Sequence, residues 1–291
     1  MATKLQSAME YLMTYGWAIL IIAVVLGALF QLGIFNASTF TPKAPPGACH
    51  VFRPNGPMTT SFINLQGICN GELPQYVASF NGGASSQITT GINFALPATM
   101  SISFWIYLKN APLSGGFNPF DQGLCNDFTA TAWSDGSLYF YQSYSGCSYE
   151  SLVMFPAGTF EPGKWMLITI TRSASPKNVI SYLNGALQNT ATYVNAPAQV
   201  NNVQMTLGKG YTANSLYGYM SNMQVYNATL SANEITALYN EGIGGAPVKL
   251  NNLVGWWPLN GDAKDYSGNN KNGVTSAVTF TSNWESGYST P

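Results

Sequence analysis

Few side chains of this 291-residue chain could carry out acid–base chemistry, and they are scattered. Hydrolysis of a glycosidic bond needs two carboxyl groups that flank the bond, about 5–5.5 Å apart in retaining enzymes. A β-strand supplies them as alternate acidic residues, because every second side chain faces the same cleft, and the twelve Asp and Glu residues form no such run. The single histidine, His50, leaves no credible Ser-His-Asp triad and excludes a three-histidine zinc site. We therefore predict that the protein is not an enzyme, with a glycan-active hydrolase as the less favoured alternative.

One group of polar residues could bind a hard cation. Asp262, Asp265 and Asn269 lie close together in a turn-rich segment, and calcium takes several oxygen ligands. The same residue types also cap turns by bonding to their own backbone. We favour turn capping, keep calcium as the alternative, and predict no other cofactor.

Four cysteines could form two disulfides, which implies an oxidising compartment. They are Cys49, Cys69, Cys125 and Cys147, and no C-x-x-C pair of a zinc ribbon occurs among them. Three connectivities are open. We favour the local pairs Cys49–Cys69 and Cys125–Cys147, each closing a loop of about 20 residues and stabilising by roughly 3 kcal/mol. Four buried free thiols are the alternative.

The composition excludes some classes of partner and state. Eleven Lys and Arg residues against twelve acids give a net charge of −1, so no basic surface for nucleic acid is expected. Charged residues make up 8% and aromatic residues 13%, which is unlike a disordered chain. Asn36 and Asn227 begin N-glycosylation sequons, which are meaningful only if the body of the protein lies outside the cell.

Aromatic side chains could form a platform for sugars, since Tyr and Trp combine a flat apolar face with a polar group. The alternative is that half of them fill a core or a subunit contact. The sequence does not separate the two sets, so the ligand-binding residues stay unassigned. The candidates are Trp133, Tyr139, Tyr141, Tyr144, Tyr149, Tyr211 and Tyr217.

The N-terminal part carries an uncharged stretch, residues 11–35. As a helix, these 25 residues would reach about 38 Å, which is enough to cross a bilayer. The stretch is longer than the apolar part of a secretory signal and has no A-x-A cleavage site. A carboxylate, Glu10, stands at its start, where an acid is costly unless it has a partner.

The segment Gln6-Ser7-x-x-Glu10 before this helix resembles the class III signal of archaeal type IV pilin-like proteins. The resemblance implies cleavage between Leu5 and Gln6, with the helix kept on the mature protein. It also implies that Glu10 pairs with the new N-terminal amine of a neighbouring subunit during assembly. Leu5 departs from the family, which usually has a small residue there.

Beyond the helix, the hydrophobic period changes to two. Met100, Ile102, Phe104 and Ile106 alternate with their neighbours, which predicts a half-buried strand; residues 166–171 show the same pattern. Asn-Gly pairs predict turns, because both residues accept a positive φ. The pairs lie at 55–56, 70–71, 81–82, 184–185, 260–261 and 272–273.

One helix is predicted within the β-rich region. Ser231 and Glu234 have the spacing of a capping box, and Gly242 is placed to end the helix. This helix and several other stretches together resemble the laminin-G-like, concanavalin A-type family. The resemblance implies a mainly β fold, an antiparallel β-sandwich of jelly-roll type, and no particular activity. The stretches are residues 80–82, 101–107, 163–165, 182–185, 218–239, 256–261 and 265–269.

In the family, segments like residues 256–261 and 265–269 normally come first in the domain. In this sequence they come after the predicted helix. We predict that residues 253–259 return to a sheet of their own chain, giving a circularly permuted domain, because a local return costs less loop entropy and needs no partner. The alternative is that they complete the sheet of a neighbouring subunit.

The predicted domain plan is a leader at 1–5, a pilin-like helix at 6–35, a Pro/Ser/Thr-rich linker at 36–48 and the sandwich at 49–291. The predicted function is a structural subunit of an archaeal type IV pilus-like surface filament whose displayed head serves adhesion or glycan binding. Its partners would be further copies through the N-terminal helices, a prepilin peptidase, the membrane and its assembly machinery, and a glycan. The alternative is a single-pass membrane-anchored, lectin-like surface protein that does not polymerise.

Overall fold

The structure is a computed structural model that describes residues 15–27, 50–52, 64–66, 73–123, 125, 127–198, 202–210 and 214–289, with the backbone alone for 50–52 and 64–66. The chain divides into two compact units, Met1–Lys43 and Ala44–Pro291. Within the first unit, residues 15–27 form helix α1. Its apolar side chains are exposed, Trp17 and Ile19 to 66% and 65%.

Helix α1 lies inside the predicted helix of residues 6–35, whose remaining parts fall outside the described residues. Among the helices that the structure describes, none is both long enough and apolar enough to cross a membrane. The leader, the residues Leu5, Gln6 and Glu10, and the linker 36–48 also lie outside the described part of the chain.

The second unit is built from antiparallel strands. In chain order they are β1 (His50–Phe52), β2 (Asn64–Gln66), β3 (Val77–Asn81), β4 (Gln87–Thr89), β5 (Met100–Leu108), β6 (Phe120–Asp121), β7 (Phe128–Ala132), β8 (Leu138–Ser145), β9 (Ser148–Phe155), β10 (Trp165–Ala174), β11 (Lys177–Leu183), β12 (Ala186–Thr192), β13 (Thr206–Leu207), β14 (Tyr217–Tyr226), β15 (Leu253–Trp257), β16 (Val274–Ser276) and β17 (Val278–Thr281). Helix α2 (Ala232–Asn240) and a 3₁₀ turn (Leu250–Asn252) lie between β14 and β15.

Two sheets face each other. Sheet I has the order β12-β11-β10-β5-β14-β3-β17, with β15 also paired to β14, and sheet II has the order β16-β4-β13-β6-β7-β8-β9. Strands β1 and β2 pair separately. The predicted mainly β, antiparallel sandwich is confirmed.

The main core fills the space between the sheets. Phe104 of sheet I meets Phe120 of sheet II edge-on, with ring centroids 5.8 Å apart. Phe128 and Phe140 stack at 5.7 Å within the same cluster. All four side chains are fully buried, so the alternating apolar positions of the strands form one continuous core.

The strands at the centre of sheet I are buried on both faces, so the prediction of half-buried strands was wrong there. Trp105 and Trp165 point away from the main core into a second apolar cluster. Ile235 and Leu238 of α2 and Trp284 near the C-terminus cover them. The alternating side chains of β5 and β10 therefore point to two buried faces, rather than to one buried face and one solvent-exposed face.

Helix α2 begins as its sequence predicts. The Ser231 hydroxyl accepts a hydrogen bond from the Glu234 backbone N–H, and the Glu234 carboxylate accepts one from the Ser231 backbone N–H. This capping box satisfies two donors that a helix start otherwise leaves unpaired. The helix ends at Asn240, and Gly242, two residues further on, has a φ of +78°.

The C-terminal segment completes both sheets of its own chain, which confirms the predicted intramolecular pairing for Leu253–Trp257. Strand β15 pairs with β14 in the register Met223↔Trp257. Strand β17 pairs with β3, and β16 with β4. On β15, the Trp256 indole N–H donates to Asn222 Oδ1 at 2.7 Å.

The Asn-Gly pairs have different roles. Asn184 and Gly185 form the two-residue turn between β11 and β12, with φ of 51° and 78°, as the pattern predicts. Gly82 and Gly261 also have a positive φ, but they lie in longer connections. Gly273 does not adopt a positive φ and directly precedes β16. The pairs at 55–56 and 70–71 lie outside the described residues.

A disulfide joins Cys125 and Cys147, as expected from their spacing. It links the segment before β7 to the turn between β8 and β9. Cys49 and Cys69 lie outside the described residues, so their pairing stays a prediction.

A buried ion pair ties the two sheets together. Arg172 of β10 approaches Asp127 at 3.1 Å, and both side chains are fully buried. The guanidinium also donates to the carbonyls of Pro97 and Ala98. Burial raises the pKa of the Asp127 carboxyl, and the charge and hydrogen bond of Arg172 oppose that shift. Removing one partner would leave the other charge buried without compensation.

We predict that Arg172→Met destabilises the full chain by about 3–5 kcal/mol, because it leaves the Asp127 carboxyl unpaired in the interior. The measurement is urea-induced unfolding followed by tryptophan fluorescence. Lys164→Met is the control: it breaks the exposed pair with Glu161, and its cost should stay below about 1 kcal/mol. Equal effects of the two variants would contradict the role given to the buried pair.

Candidate functional site

A pocket opens at one end of sheet I, where β3 and β5 end and β14 begins. Its walls come from the turn of residues 81–83, the loop of residues 110–113 with Phe117, and the segment that enters β14. Its volume is about 410 Å³, within the range of small-molecule sites. We call it the rim pocket.

The turn after β3 forms one wall of the rim pocket. Asn81 Oδ1 accepts a hydrogen bond from the Gly83 N–H at 2.8 Å, and the Gly82 N–H donates to the carbonyl of Leu216 at 3.0 Å. A Cβ on Gly82 would lie 3.1 Å from the Cβ of Tyr217, and its φ is +76°. Glycine therefore lets this turn lie close against the start of β14.

The loop after β5 is held at both of its ends. The Lys109 N–H donates to the carbonyl of Tyr217, and the Phe117 N–H donates to the carbonyl of Ala132, both at 3.0 Å. Between them, the Asn214 side-chain amide donates to the carbonyl of Ser114 at 2.9 Å. The wall is thus tethered to two other segments before any ligand binds, which lowers the ordering cost of binding.

The lining combines apolar surface with neutral polar groups. Leu113 and Tyr217 are 67% and 44% exposed, and the amides of Asn110 and Asn214 stand beside them. Ser215 also lines the pocket and is 6% exposed; its hydroxyl has no hydrogen-bond partner within the described part of the chain. Among the described lining residues, none carries a carboxylate or an ammonium group. Such a surface suits a neutral ring with hydroxyl groups at its edge.

Most of the other aromatic candidates lie on sheet II. Tyr139 and Tyr141 stack with centroids 6.1 Å apart, and Tyr149 meets Tyr141 edge-on at 5.5 Å. Burial raises the pKa of the Tyr141 phenol, whereas hydrogen bonds with Trp133 and Ser151 act to lower it. These rings largely pack on one another.

Two further candidates complete the set. Tyr144 is exposed on β8, at 37%, and Tyr211 lies outside the described residues. Tyr217 is therefore the one of the described candidates that lines the rim pocket.

One carboxyl group lies on the outer face of sheet II. Asp121 stands opposite Thr129; burial raises the pKa of its carboxyl, whereas hydrogen bonds with Thr129 and Gly123 act in the opposite direction. The other acid in the strands of this sheet, Glu150, pairs with the inward-facing Gln142 and so lies on the opposite side. The described strands of sheet II thus bring no pair of carboxylates together across that face.

The three residues considered for either turn capping or cation binding act as caps. Asp265 accepts three backbone N–H groups with its two carboxylate oxygens, at 2.8–3.0 Å. Asp262 accepts the backbone N–H of Lys264, and Asn269 donates its side-chain amide to two carbonyls of β15. Among the described residues, no cluster of three His, Cys, Asp or Glu side chains could hold a metal. The geometry of these described residues is that of turn capping, the role that the sequence favours; calcium binding stays an untested alternative.

The remaining candidates are modification sites. Asn227 follows β14, where its side chain is exposed and its Oδ1 accepts a hydrogen bond from Asn252 at 2.9 Å. Asn36 lies outside the described residues.

Sequence patterns missed most of the rim pocket. Leu113, Asn110, Asn214 and Ser215 belong to no periodic pattern and no motif. Asn81 is predicted as part of a turn and lies in the stretch 80–82 that resembles the family, but neither pattern marks it as a pocket residue. The sequence feature that indicates this region is the pair of turn-rich segments after β3 and β5. It does not identify which side chains face a ligand.

Comparisons with known proteins agree with this architecture. No curated protein is significantly similar to the chain. The model of the concanavalin A-like lectin/glucanases superfamily matches residues 80–236, more than half of the chain.

Several solved structures are similar to the chain at low sequence identity. A heptameric SAP-like pentraxin from Limulus polyphemus is 14% identical, with 71% of this chain and 94% of that chain covered and a TM-score of 0.49. A protein from Bacteroides ovatus ATCC 8483, provisionally described as carbohydrate binding, is 12% identical, with coverages of 72% and 60% and a TM-score of 0.50. The botulinum neurotoxin serotype D binding domain is 14% identical, with coverages of 57% and 43% and a TM-score of 0.47.

The chain spans less than half the length of the botulinum domain. At such identities these likenesses concern the fold alone. The family match is independent of them and extends from the end of β3 into α2, across most of the sandwich strands. The chain therefore belongs to the concanavalin A-like lectin/glucanases superfamily.

Proposed function

We propose that the β-sandwich binds carbohydrate in the rim pocket. The observation that carries the proposal is the combination of an exposed tyrosine ring with neutral amide groups in one concavity. Ser215 lines the same concavity, and its buried hydroxyl has no hydrogen-bond partner among the described residues. A pyranose has an apolar face of C–H groups and a rim of hydroxyls. The face would stack on Tyr217, beside Leu113, and the hydroxyls would bond to Asn110 and Asn214.

The role proposed is binding rather than hydrolysis. Hydrolysis needs two carboxyl groups beside the scissile bond, and the described lining of the rim pocket contains none. Membership of a superfamily that includes lectins supports a binding role without naming its ligand.

We further propose that the N-terminal segment assembles the protein into a surface filament. Support comes from the Gln6-Ser7-x-x-Glu10 segment ahead of an apolar helix and from the exposed apolar side chains of α1. A prepilin peptidase would cut after Leu5, and Glu10 would pair with the new amine of the next subunit. A plain membrane anchor, the alternative, does not need this segment.

We predict that Tyr217→Ala weakens oligosaccharide binding by about tenfold, because loss of ring stacking and buried area costs roughly 1–1.5 kcal/mol. Binding is found on an oligosaccharide array and measured by calorimetry with the full chain. Tyr149→Ala is the matched control, since Tyr149 is equally exposed, at 46%, but lies on sheet II. Loss of binding in the Tyr149 variant alone would move the site to sheet II and contradict the rim-pocket proposal.

We predict that N-terminal sequencing of the extracellular protein begins at Gln6, and that Glu10→Ala stays in the membrane without assembling. A carboxylate and an amine in a dry filament core attract each other strongly. Filaments are counted by electron microscopy. Glu161→Ala, which removes an exposed acid of the sandwich, should assemble normally. An intact Met1 in filaments, or normal filaments from the Glu10 variant, would contradict the filament proposal.

A further inference from the structure

A lysine lies next to the rim pocket, although Lys109 itself is not among the described residues that line it. Lys109 directly follows β5, between Leu108 and Asn110, both of which line the pocket. Its backbone N–H donates to the carbonyl of Tyr217. The position of its Cα is therefore tied to the same strand that carries the exposed ring.

The side chain of Lys109 is held over aromatic faces. Its Nζ lies 4.5 Å from the ring centroid of Tyr219 and 5.3 Å from that of Tyr217. Tyr219 is itself fixed by stacking on Tyr107 at 5.4 Å and on Trp165 at 6.1 Å. Cation–π contacts of this kind position an ammonium group without neutralising its charge.

Lys109 has no acidic partner in the part of the chain that the structure describes. The ion pairs there are Lys164–Glu161, Arg172–Asp127, Lys249–Glu234 and Lys264–Asp262. The lining residues that the structure describes supply no carboxylate either. An ammonium group with three N–H donors thus stands uncompensated beside a pocket that is otherwise neutral.

We propose that the rim pocket selects acidic sugars: a pyranose with an anionic substituent, a carboxylate or a sulfate ester, whose charge is bound by Lys109. The inference rests on the proposed carbohydrate binding and adds its specificity. The ring stacks on Tyr217, and the substituent at its edge reaches the ammonium group that lies over the same ring. Hydrogen bonds that involve charged groups are stronger than neutral ones, so the anion decides which glycans bind tightly.

The test compares matched oligosaccharides on the full chain by calorimetry. Each pair has the same linkage and length and differs only in charge: a hexuronate oligomer against its methyl ester, and a sulfated oligomer against its unsulfated parent. We expect the acidic member to bind about tenfold more tightly at low salt, with the advantage shrinking as salt screens the charges.

Variants identify the group responsible. Lys109→Met should remove the preference and leave the neutral member within about twofold of wild type, and Lys109→Arg should keep the preference. Lys177→Met removes the same charge at the opposite end of sheet I, where Lys177 donates to the carbonyl of Val194, and should change nothing. An unchanged unfolding midpoint in urea shows that each variant is folded.

The outcomes separate the two proposals. Equal affinity for both members of every pair, or a preference that survives in Lys109→Met, overturns the selection of acidic sugars and leaves carbohydrate binding standing. Absence of binding to every oligosaccharide by the wild-type chain overturns both. A preference for one kind of anion only would show whether the carboxylate or the sulfate ester is the natural substituent.

Discussion

The constraint on which the structure depends is that sheet I is apolar on both faces. Strand β5 alternates Phe104 and Ile106 on one side with Trp105 and Tyr107 on the other. Exposing either face would leave large apolar surfaces in water, at about 25 cal/mol for each Å². Sheet II covers the first face. The second needs a cover of its own, which the chain makes from α2 and its C-terminal segment.

This requirement explains the unusual position of the last strands. The capping box starts α2 directly after β14 and turns Ile235 and Leu238 onto the outer face of sheet I. The chain then returns as β15 and later delivers Trp284, whose indole meets that of Trp165 edge-on at 5.9 Å. The C-terminal segment thus adds strands to the sheets and closes the second core at the same time.

The position of the rim pocket also follows from the strand order of sheet I, which is packed on both faces. Strands β3 and β5 both run antiparallel to β14, so their ends meet at its start and bring the turn at 81–83 against the loop at 110–113. Sheet I is packed on both faces, and the N–H groups of Gly82 and Lys109 donate to the carbonyls of Leu216 and Tyr217, so these ends are tied to the start of β14. The proposed discrimination of ligands by charge would then come at little ordering cost.

The sequence alone determined the features that depend on neighbouring residues. The capping box of Ser231 and Glu234, the two-residue turn at Asn184 and Gly185, and the pairing of Cys125 with Cys147 involve residues close together in the chain, and their patterns predict them. The sandwich follows from period-two alternation and the turns between strands. The resemblance of residues 256–261 to a family segment made the return of β15 predictable as well.

Only the tertiary structure decided which surfaces are covered and which side chains converge. The period-two pattern shows that β5 has two faces. Whether the second face is exposed to solvent or buried depends on α2 and Trp284, which lie more than a hundred residues further along the chain. The tertiary structure also separates the tyrosines. The sequence offers Tyr141 and Tyr217 equally as sugar-binding candidates, but Tyr141 packs against a neighbouring ring whereas Tyr217 lines the pocket. Ser215 and Lys109 belong to no motif. Ser215 lines the rim pocket and Lys109 lies next to it, because antiparallel pairing brings the start of β14 to the ends of β3 and β5. Such long-range pairing is set by the packing of the whole sandwich rather than by local propensity.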